Sequence, residues 1–266
     1  MLEWLALLIS VIAAVVKITG GIVYGSKALF IDALTCIANL VAISATLYFH
    51  KISLMPPDMD HHYGHLRLGL GGALVSAATY SFVAGLSLVD LLRFKEYEVS
   101  IYAPLMAGIG FLLYLLVIVI SKNIGSSFKS YSLFTVSELM ESAVVIISSL
   151  AGALYSYILD YSGALIITSY IFYEVYKTLK DIVDKLSDKA PSANLQEIVI
   201  NEFERNGLSI NRIRLRCLYE GRIQGDVTII VDPEESVGRV YKKINRVLRK
   251  LEKHGIELSV NIKPSG

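Results

Sequence analysis

Ala28-Leu-Phe-Ile-Asp32-Ala-Leu-Thr35-Cys-Ile-Ala-Asn39-Leu-Val-Ala-Ile-Ser-Ala-Thr-Leu-Tyr48 is a mostly apolar stretch that carries Asp32, Thr35 and Asn39 inside it. On a helix these three stand at i, i+3 and i+7, so their oxygens leave one face. A second apolar segment, Ser132 to Leu159, answers with Glu138 and Glu141 one turn apart. A lone carboxylate in hydrocarbon is costly enough that such residues face a bundle interior or a wet cavity, often on an ion route. Two such faces turned towards each other make an oxygen-lined cation site within a membrane. The alternative is that these groups only hydrogen-bond between helices, as Thr and Asn commonly do.

Composition bounds the rest. The chain has 266 residues, 54% hydrophobic and 18% charged, with mean hydropathy +0.54. That is too apolar for an ordinary soluble protein and too charged for membrane throughout, so two parts are expected. A net charge of +1 argues for no nucleic-acid partner. Cys36 and Cys217 are too far apart in sequence and setting to suggest a disulfide or a metal pair. No HExxH run and no Gly-rich phosphate loop occurs, so an enzyme is not expected.

Apolar runs able to span a bilayer, which needs about 20 helical residues, occur at Leu5 to Tyr24, Ala28 to Tyr48, Leu66 to Leu92, Ile101 to Ser121, Ser132 to Leu159 and Ser162 to Tyr176. The expected fold is therefore mainly α, with a six-helix transmembrane bundle over residues 1–180. The first run lacks a basic lead and a cleavage site, so it reads as a retained span. Lys51, Arg67, Lys122, Lys129, Lys177, Lys180, Lys185 and Lys189 flank one side, and Lys27, Arg93 and Lys95 the other. The positive-inside rule then places both termini in the cytoplasm of a multi-pass plasma-membrane protein. Lys17 lies inside the first span, where snorkelling or pairing with a carboxylate are both open, and the sequence identifies no partner for it.

After Tyr176 the chain turns charged, with a helical extension and a linker over 181–194. Residues 195–266 read as an α-β-β-α-β module. A helix runs from Leu195 to about Asn206 before Gly207; strands occupy Ile213 to Leu218 and Asp226 to Val231 around a Glu220-Gly221 turn. A basic amphipathic helix opening at Pro233 and closed by His254-Gly255 presents Val237, Tyr241, Ile244, Val247, Leu248 and Leu251, and a strand follows from Ile256 to Ile262. At roughly 70 residues its burial is marginal, which favours packing against a second copy. Its seven basic side chains on the last helix are nearly offset within the module and read as a solvated face.

Between the second and third runs lies Pro56-Pro-Asp58-Met-Asp60-His61-His62-Tyr-Gly64-His65-Leu-Arg67, in a chain with only five histidines. Imidazole with carboxylate is the usual ligand set for zinc and neighbouring divalent ions. Asp58, His61 and His65 have the spacing for a ligand cluster, with Gly64 freeing the backbone between the imidazoles and His62 a substitute. Capping of a helix or a headgroup position is the alternative.

His61-His-Tyr-Gly-His65-Leu-Arg67 resembles the His-Pro-Tyr-Gly-His-x-Arg lead-in to the third span of the cation diffusion facilitators, exporters of divalent metals. Ser26-Lys-Ala-Leu-Phe-Ile-Asp32-Ala resembles their second-span Ser-x-Ala-Leu-Leu-Ala-Asp-Ala, and Ser137-Glu138 falls where the fifth span shows Ala-Asp. The resemblance covers essentially the whole chain. It implies six spans, a metallochaperone-like cytoplasmic domain, homodimers in membrane lipid, and exchange of metal for protons by alternating access, with no prosthetic group. The family's main transport positions fall on Thr35, Asn39, Glu141 and Val145, of which only Glu141 is a strong ligand. With Asp32 and Glu138 the set is all oxygen, which suits manganese, ferrous iron or magnesium better than zinc or copper; cobalt and zinc remain in the substrate set. Cys36, about 100° round from Thr35, reads as packing. On the last strand Asn261 and Lys263 fall where that family's domain ligands are expected, so the domain is expected to dimerise without metal. The alternative function is a transport-incompetent regulatory or scaffold relative.

Overall fold

The computed structural model describes residues 2–93, 95–122 and 129–265. The side chains of residues 121–137, including Lys122 and Lys129 of the basic flanks, lie outside the described residues. Among the described residues six long helices come first: α1 Leu2–Val23, α2 Lys27–Ser53, α3 Leu70–Leu92, α4 Tyr102–Lys122, α5 Lys129–Leu154 and α6 Tyr157–Leu186. They stand at the places of the six apolar runs. Three described stretches, Lys27–Ser53, Leu66–Leu92 and Tyr102–Ile120, are long and apolar enough to cross a membrane.

Local chemistry sets the helix ends. Gly25 takes φ +74, a left-handed turn that glycine adopts freely, and the Ser26 hydroxyl then accepts from Leu29 N at 3.1 Å as the cap of α2. Ser100 ends a loop and accepts from Ala103 N through its carbonyl at 2.9 Å, while Pro104 sits within the first turn of α4, where it is tolerated. The fifth run was expected to continue to Leu159. Instead α5 closes at Leu154, with Tyr155 N and Ser156 N both donating to Ala151 O. The Ser156 hydroxyl then accepts from Ile158 N at 3.3 Å and starts α6. The sixth run, expected only over Ser162 to Tyr176, is a 30-residue helix. Its charged end stays helical through pairs such as Lys185 Nζ to Asp181 Oδ2 at 2.6 Å.

The chain divides into two compact units, Met1–Lys51 with Gly71–Leu179, and Ile52–Leu70 with Lys180–Gly266. In the first, the core is built of small and branched residues, among them Ala28, Ile31, Ala38, Ala84, Ala107, Val145, Ala164 and Ile171. Polar groups are buried beside them, including Lys17, Asp32, Thr35, Glu138, Ser142 and Asp160, while Val15, Ile22, Phe82, Leu112 and Val119 are exposed. Polar inside and apolar outside is the pattern of a protein whose solvent is lipid.

Helix approach in this unit depends on missing side chains. A Cβ on Gly21 would stand 2.6 Å from Phe30 Cα and 2.7 Å from Phe30 N, so Gly21→Ala forces α1 and α2 apart. We expect a loss of about 1–3 kcal/mol, seen as a lower thermal midpoint in detergent. Gly108→Ala, whose Cβ would meet nothing within 4 Å, serves as the control; equal midpoints for the two variants would refute the close-approach account.

In the second unit, α7 (Ala193–Arg205) and α8 (Val237–Glu252) pack on a sheet of β1 (Ser209–Cys217), β2 (Ile223–Val231) and β3 (Ile256–Pro264). The order is β1-β2-β3, with β1 antiparallel to β2 and β2 parallel to β3. This is the expected α-β-β-α-β sequence. Gly207 at φ +67 stops α7 and Gly255 at φ +74 follows α8, both as anticipated. The buried face of α8 is Val240, Ile244, Val247 and Leu251. Val237 and Tyr241, expected on that face, are exposed. The stripe follows i, i+4, i+7, i+11, so Val240 rather than Tyr241 completes it one turn before Ile244.

The loop before α3 belongs to this unit. Arg67 pairs with Asp188, Arg216 Nη1 stands 3.3 Å from the same carboxylate, and Cys217 N donates to Lys189 O at 3.0 Å. The expected linker is thus short, since α6 reaches Leu186, and is held by its own ion pairs.

Candidate functional site

The loop gathers its three expected ligands without a helix. Asp58 Oδ1 accepts from His61 N at 2.7 Å and from Asp60 N at 3.0 Å, a turn that folds the carboxylate back over the histidines. His61 Nδ1 lies 3.3 Å from Asp58 Oδ1 and His65 Nε2 lies 3.3 Å from Oδ2. The two imidazoles are 4.3 Å apart. Gly64 takes φ +76, the backbone freedom anticipated between them. His65 Nδ1 sits 3.1 Å from Pro56 O, so that nitrogen carries the proton and Nε2 is left to face Asp58 or a metal. Hydrogen bonds from the His61 and Asp60 main chain hold the Asp58 carboxyl below its ordinary range, which keeps it ionised as a ligand must be. Among the described residues this is the one group of three metal-ligating side chains whose ligand atoms lie within 4.8 Å of one another. His62 is exposed and lies outside it.

Deep in the first unit, α2 and α5 do face each other. Thr35 Oγ1 is 3.1 Å from Glu141 Oε2 and 2.8 Å from its own helix's Asp32 O. Asn39 Oδ1 accepts from Tyr80 OH on α3. Cys36 Sγ donates to Glu138 Oε2 at 3.2 Å, so the thiol stands within the polar group, where the sequence suggested plain packing. Both Thr35 and Cys36 reach α5 because its two glutamates, three residues apart, spread over an arc of the facing helix. Val145 is fully buried in the apolar core, adding no ligand.

The sequence left Lys17 without a partner, and the fold supplies several. Its Nζ lies 2.9 Å from Asp32 Oδ2 and 3.1 Å from Oδ1. It also donates to Ser142 Oγ at 2.8 Å, stands 3.9 Å from Glu138 Oε2, and lies 4.6 Å from the Tyr114 ring centroid. The signal that pointed to this was the isolated cation itself: a lysine inside an apolar span needs an anion from another helix. Ser142, Tyr80 and Tyr114 carried no such signal, being ordinary residues of apolar helices.

A separate polar knot orients α2. Asp160, at the start of α6, accepts from Ser26 Oγ at 2.6 Å, Lys27 N at 2.8 Å and Tyr97 OH at 3.0 Å. One carboxylate thus caps a helix that is not its own. Lys27 in turn donates to Asp90 O at 3.0 Å and Asp90 Oδ2 at 2.8 Å, closing the end of α3.

Against known proteins, the family profile of the cation efflux transmembrane domain matches residues 4–187. The manganese efflux system protein MneS of Bacillus subtilis (strain 168) is 24% identical, over 95% of this chain and 91% of that protein. The uncharacterized transporter YdbO of the same organism is 45% identical over 67 residues, 25% of this chain and 23% of that protein. Mitochondrial metal transporter 1 of Saccharomyces cerevisiae is 33% identical over 87 residues, 33% of this chain and 17% of that protein.

Proposed function

This chain belongs to the cation efflux family, whose members are transporters rather than enzymes, and from that premise we propose that it exports a hard divalent metal ion through the polar group between α2 and α5. The transport site comprises Asp32, Asn39, Glu138 and Glu141, with Thr35 secondary. The observation that carries this reading is the burial of two glutamates of α5 directly against the polar face of α2, at Thr35–Glu141 and Cys36–Glu138. Oxygen donors without imidazole favour manganese or ferrous iron over zinc, in line with the name of a relative that matches along most of its length.

Protons compete with metal for carboxylates, which supplies the basis for metal/proton exchange. The working arrangement is a six-span chain in the plasma membrane with both termini cytoplasmic, supported by the basic flanks. The C-terminal unit dimerises the chain, its small core supporting association with a second copy. Reconstituted in vesicles and offered manganese, iron, cobalt, zinc and magnesium, the protein should move manganese or iron fastest. Stable dimers that move none of these ions would instead support the scaffold alternative.

Asp58, His61 and His65 form a second, accessory site on the loop. In the full-length protein, His61→Ala with His65→Ala should remove one equivalent of bound metal in calorimetric titration and reduce flux by about tenfold or less. An unchanged stoichiometry would exclude metal binding by the loop.

A further inference from the structure

We propose that Lys17 is a tethered cation of the transport site, its ammonium occupying the place on Asp32 that an incoming divalent metal takes over, and returning to it when the metal leaves. The inference rests on the reading of the α2 and α5 face as that site. Lys17 is completely buried, and its ammonium is held as a small metal ion would be, by oxygens from two helices. Both Asp32 oxygens lie within 3.1 Å and the Ser142 hydroxyl at 2.8 Å, with Glu138 just beyond.

The niche is shaped for the side chain. A Cβ on Gly110 of α4 would come within 2.8 Å of Lys17 Cε and 2.9 Å of Cγ, so the methylene stem lies in a groove that only a missing side chain leaves. The Tyr114 ring lines the same place and stabilises a cation by its π face. In this state Asp32 has its charge balanced from within the chain, which removes the penalty of a lone carboxylate in the membrane.

A dication cannot share Asp32 with the ammonium, because two like charges would then stand a few ångströms apart in a low-dielectric interior. The flexible four-carbon stem lets the ammonium withdraw from Asp32 towards Ser142 and the Tyr114 ring while the α1 backbone stays in place. The exchange swaps one cation for another on the same carboxylate and leaves Lys17 protonated throughout. Metal binding is weakened by the competition, and release is assisted when the ammonium returns.

Manganese flux in vesicles carrying this chain tests this with Lys17→Met, Lys17→Gln, Asp32→Asn and the double variant Lys17→Met with Asp32→Asn. In either single variant KM should fall by at least about tenfold and kcat should fall with it, as when a ground-state competitor that also drives release is removed. The double variant should show no tightening relative to Asp32→Asn alone, because the carboxylate for which ammonium and metal compete is gone from both. Unchanged KM and kcat in folded Lys17→Gln would overturn the proposal, as would a tightening by Lys17→Met that is as large in the Asp32→Asn background as in wild type. If the Lys17 single variants do not insert, the comparison of the double variant with Asp32→Asn decides: equal KM values support the competition at Asp32, and a KM at least about tenfold lower in the double variant overturns it. Absent flux from the wild-type chain would reject the transport reading itself rather than the role of Lys17.

Discussion

Glu138→Gln combined with Glu141→Gln should reduce manganese flux to below about one hundredth of wild type, a loss of roughly 2.7 kcal/mol or more of stabilisation along the transport path. The substitution is chosen because it is nearly isosteric. A Gln carbonyl still accepts from Cys36 Sγ, now 3.2 Å from Glu138, and from Thr35 Oγ1, now 3.1 Å from Glu141. The pairing of Lys17 with Asp32 at 2.9 Å is untouched. What disappears is the negative charge on α5, and with it the strongest hard-ion ligands of that helix, since a neutral amide holds a dication far more weakly than a carboxylate. The thermal midpoint should stay close to wild type. Flux within a factor of two or three of wild type, from a protein that inserts normally, would mean that the metal crosses elsewhere.

Asp160→Ala should produce the largest loss of stability, about 3 kcal/mol, because several donors lose one charged acceptor together. The hydroxyl of Ser26, 2.6 Å away, the amide of Lys27 at 2.8 Å and the phenol of Tyr97 at 3.0 Å would all be left without it, in a place where water does little to replace it. Asp160→Asn keeps an oxygen acceptor and should cost about half as much, since charge-assisted bonds are about twice as strong as neutral ones. Unfolding of the purified protein by graded denaturing detergent measures both. Because Asp160 fixes the first turn of α2, the Ala variant should also lose flux through displacement of Asp32 less than two turns away. A midpoint shift no larger than that of an exposed substitution, such as Glu197→Ala on α7, would show that the knot is dispensable.

Most of the secondary structure was legible because its causes are local. Apolar runs of membrane length located six helices, and Gly207 and Gly255 marked the ends of α7 and α8 through a backbone conformation that other residues avoid. The division between α5 and α6 was placed too late, after Leu159, because Tyr155 and Ser156 interrupt the apolar run only briefly and neither is a Gly or Pro that would announce the turn. The reach of α6 to Leu186 was under-read for a different reason. Its end is charged, and a hydropathy reading stops where helix stabilised by ion pairs such as Asp181–Lys185 goes on.

The loop cluster was the most legible part of the site. Its ligands lie within eight residues of chain, so turn geometry and one glycine suffice to bring them together, and the fold gathers Asp58, His61 and His65. The buried group was legible only as a list of ligand types, on one face of each of two helices. Which of them meet depends on how α1, α4 and α5 are rotated about α2. That rotation is set by close contacts such as Gly21 on Phe30 and Gly110 on Lys17, between residues far apart in sequence.

By itself, then, the sequence determined that there are apolar helices, that carboxylates are buried on two of them, and that a small α/β unit follows, because periodicity and charge in hydrocarbon act on each segment separately. Only the tertiary structure decided that the cation facing Asp32 is Lys17, fifteen residues before it, and that Ser142, 125 residues beyond Lys17, shares that ammonium. An ion pair between helices is a property of their packing, and no single helix carries it.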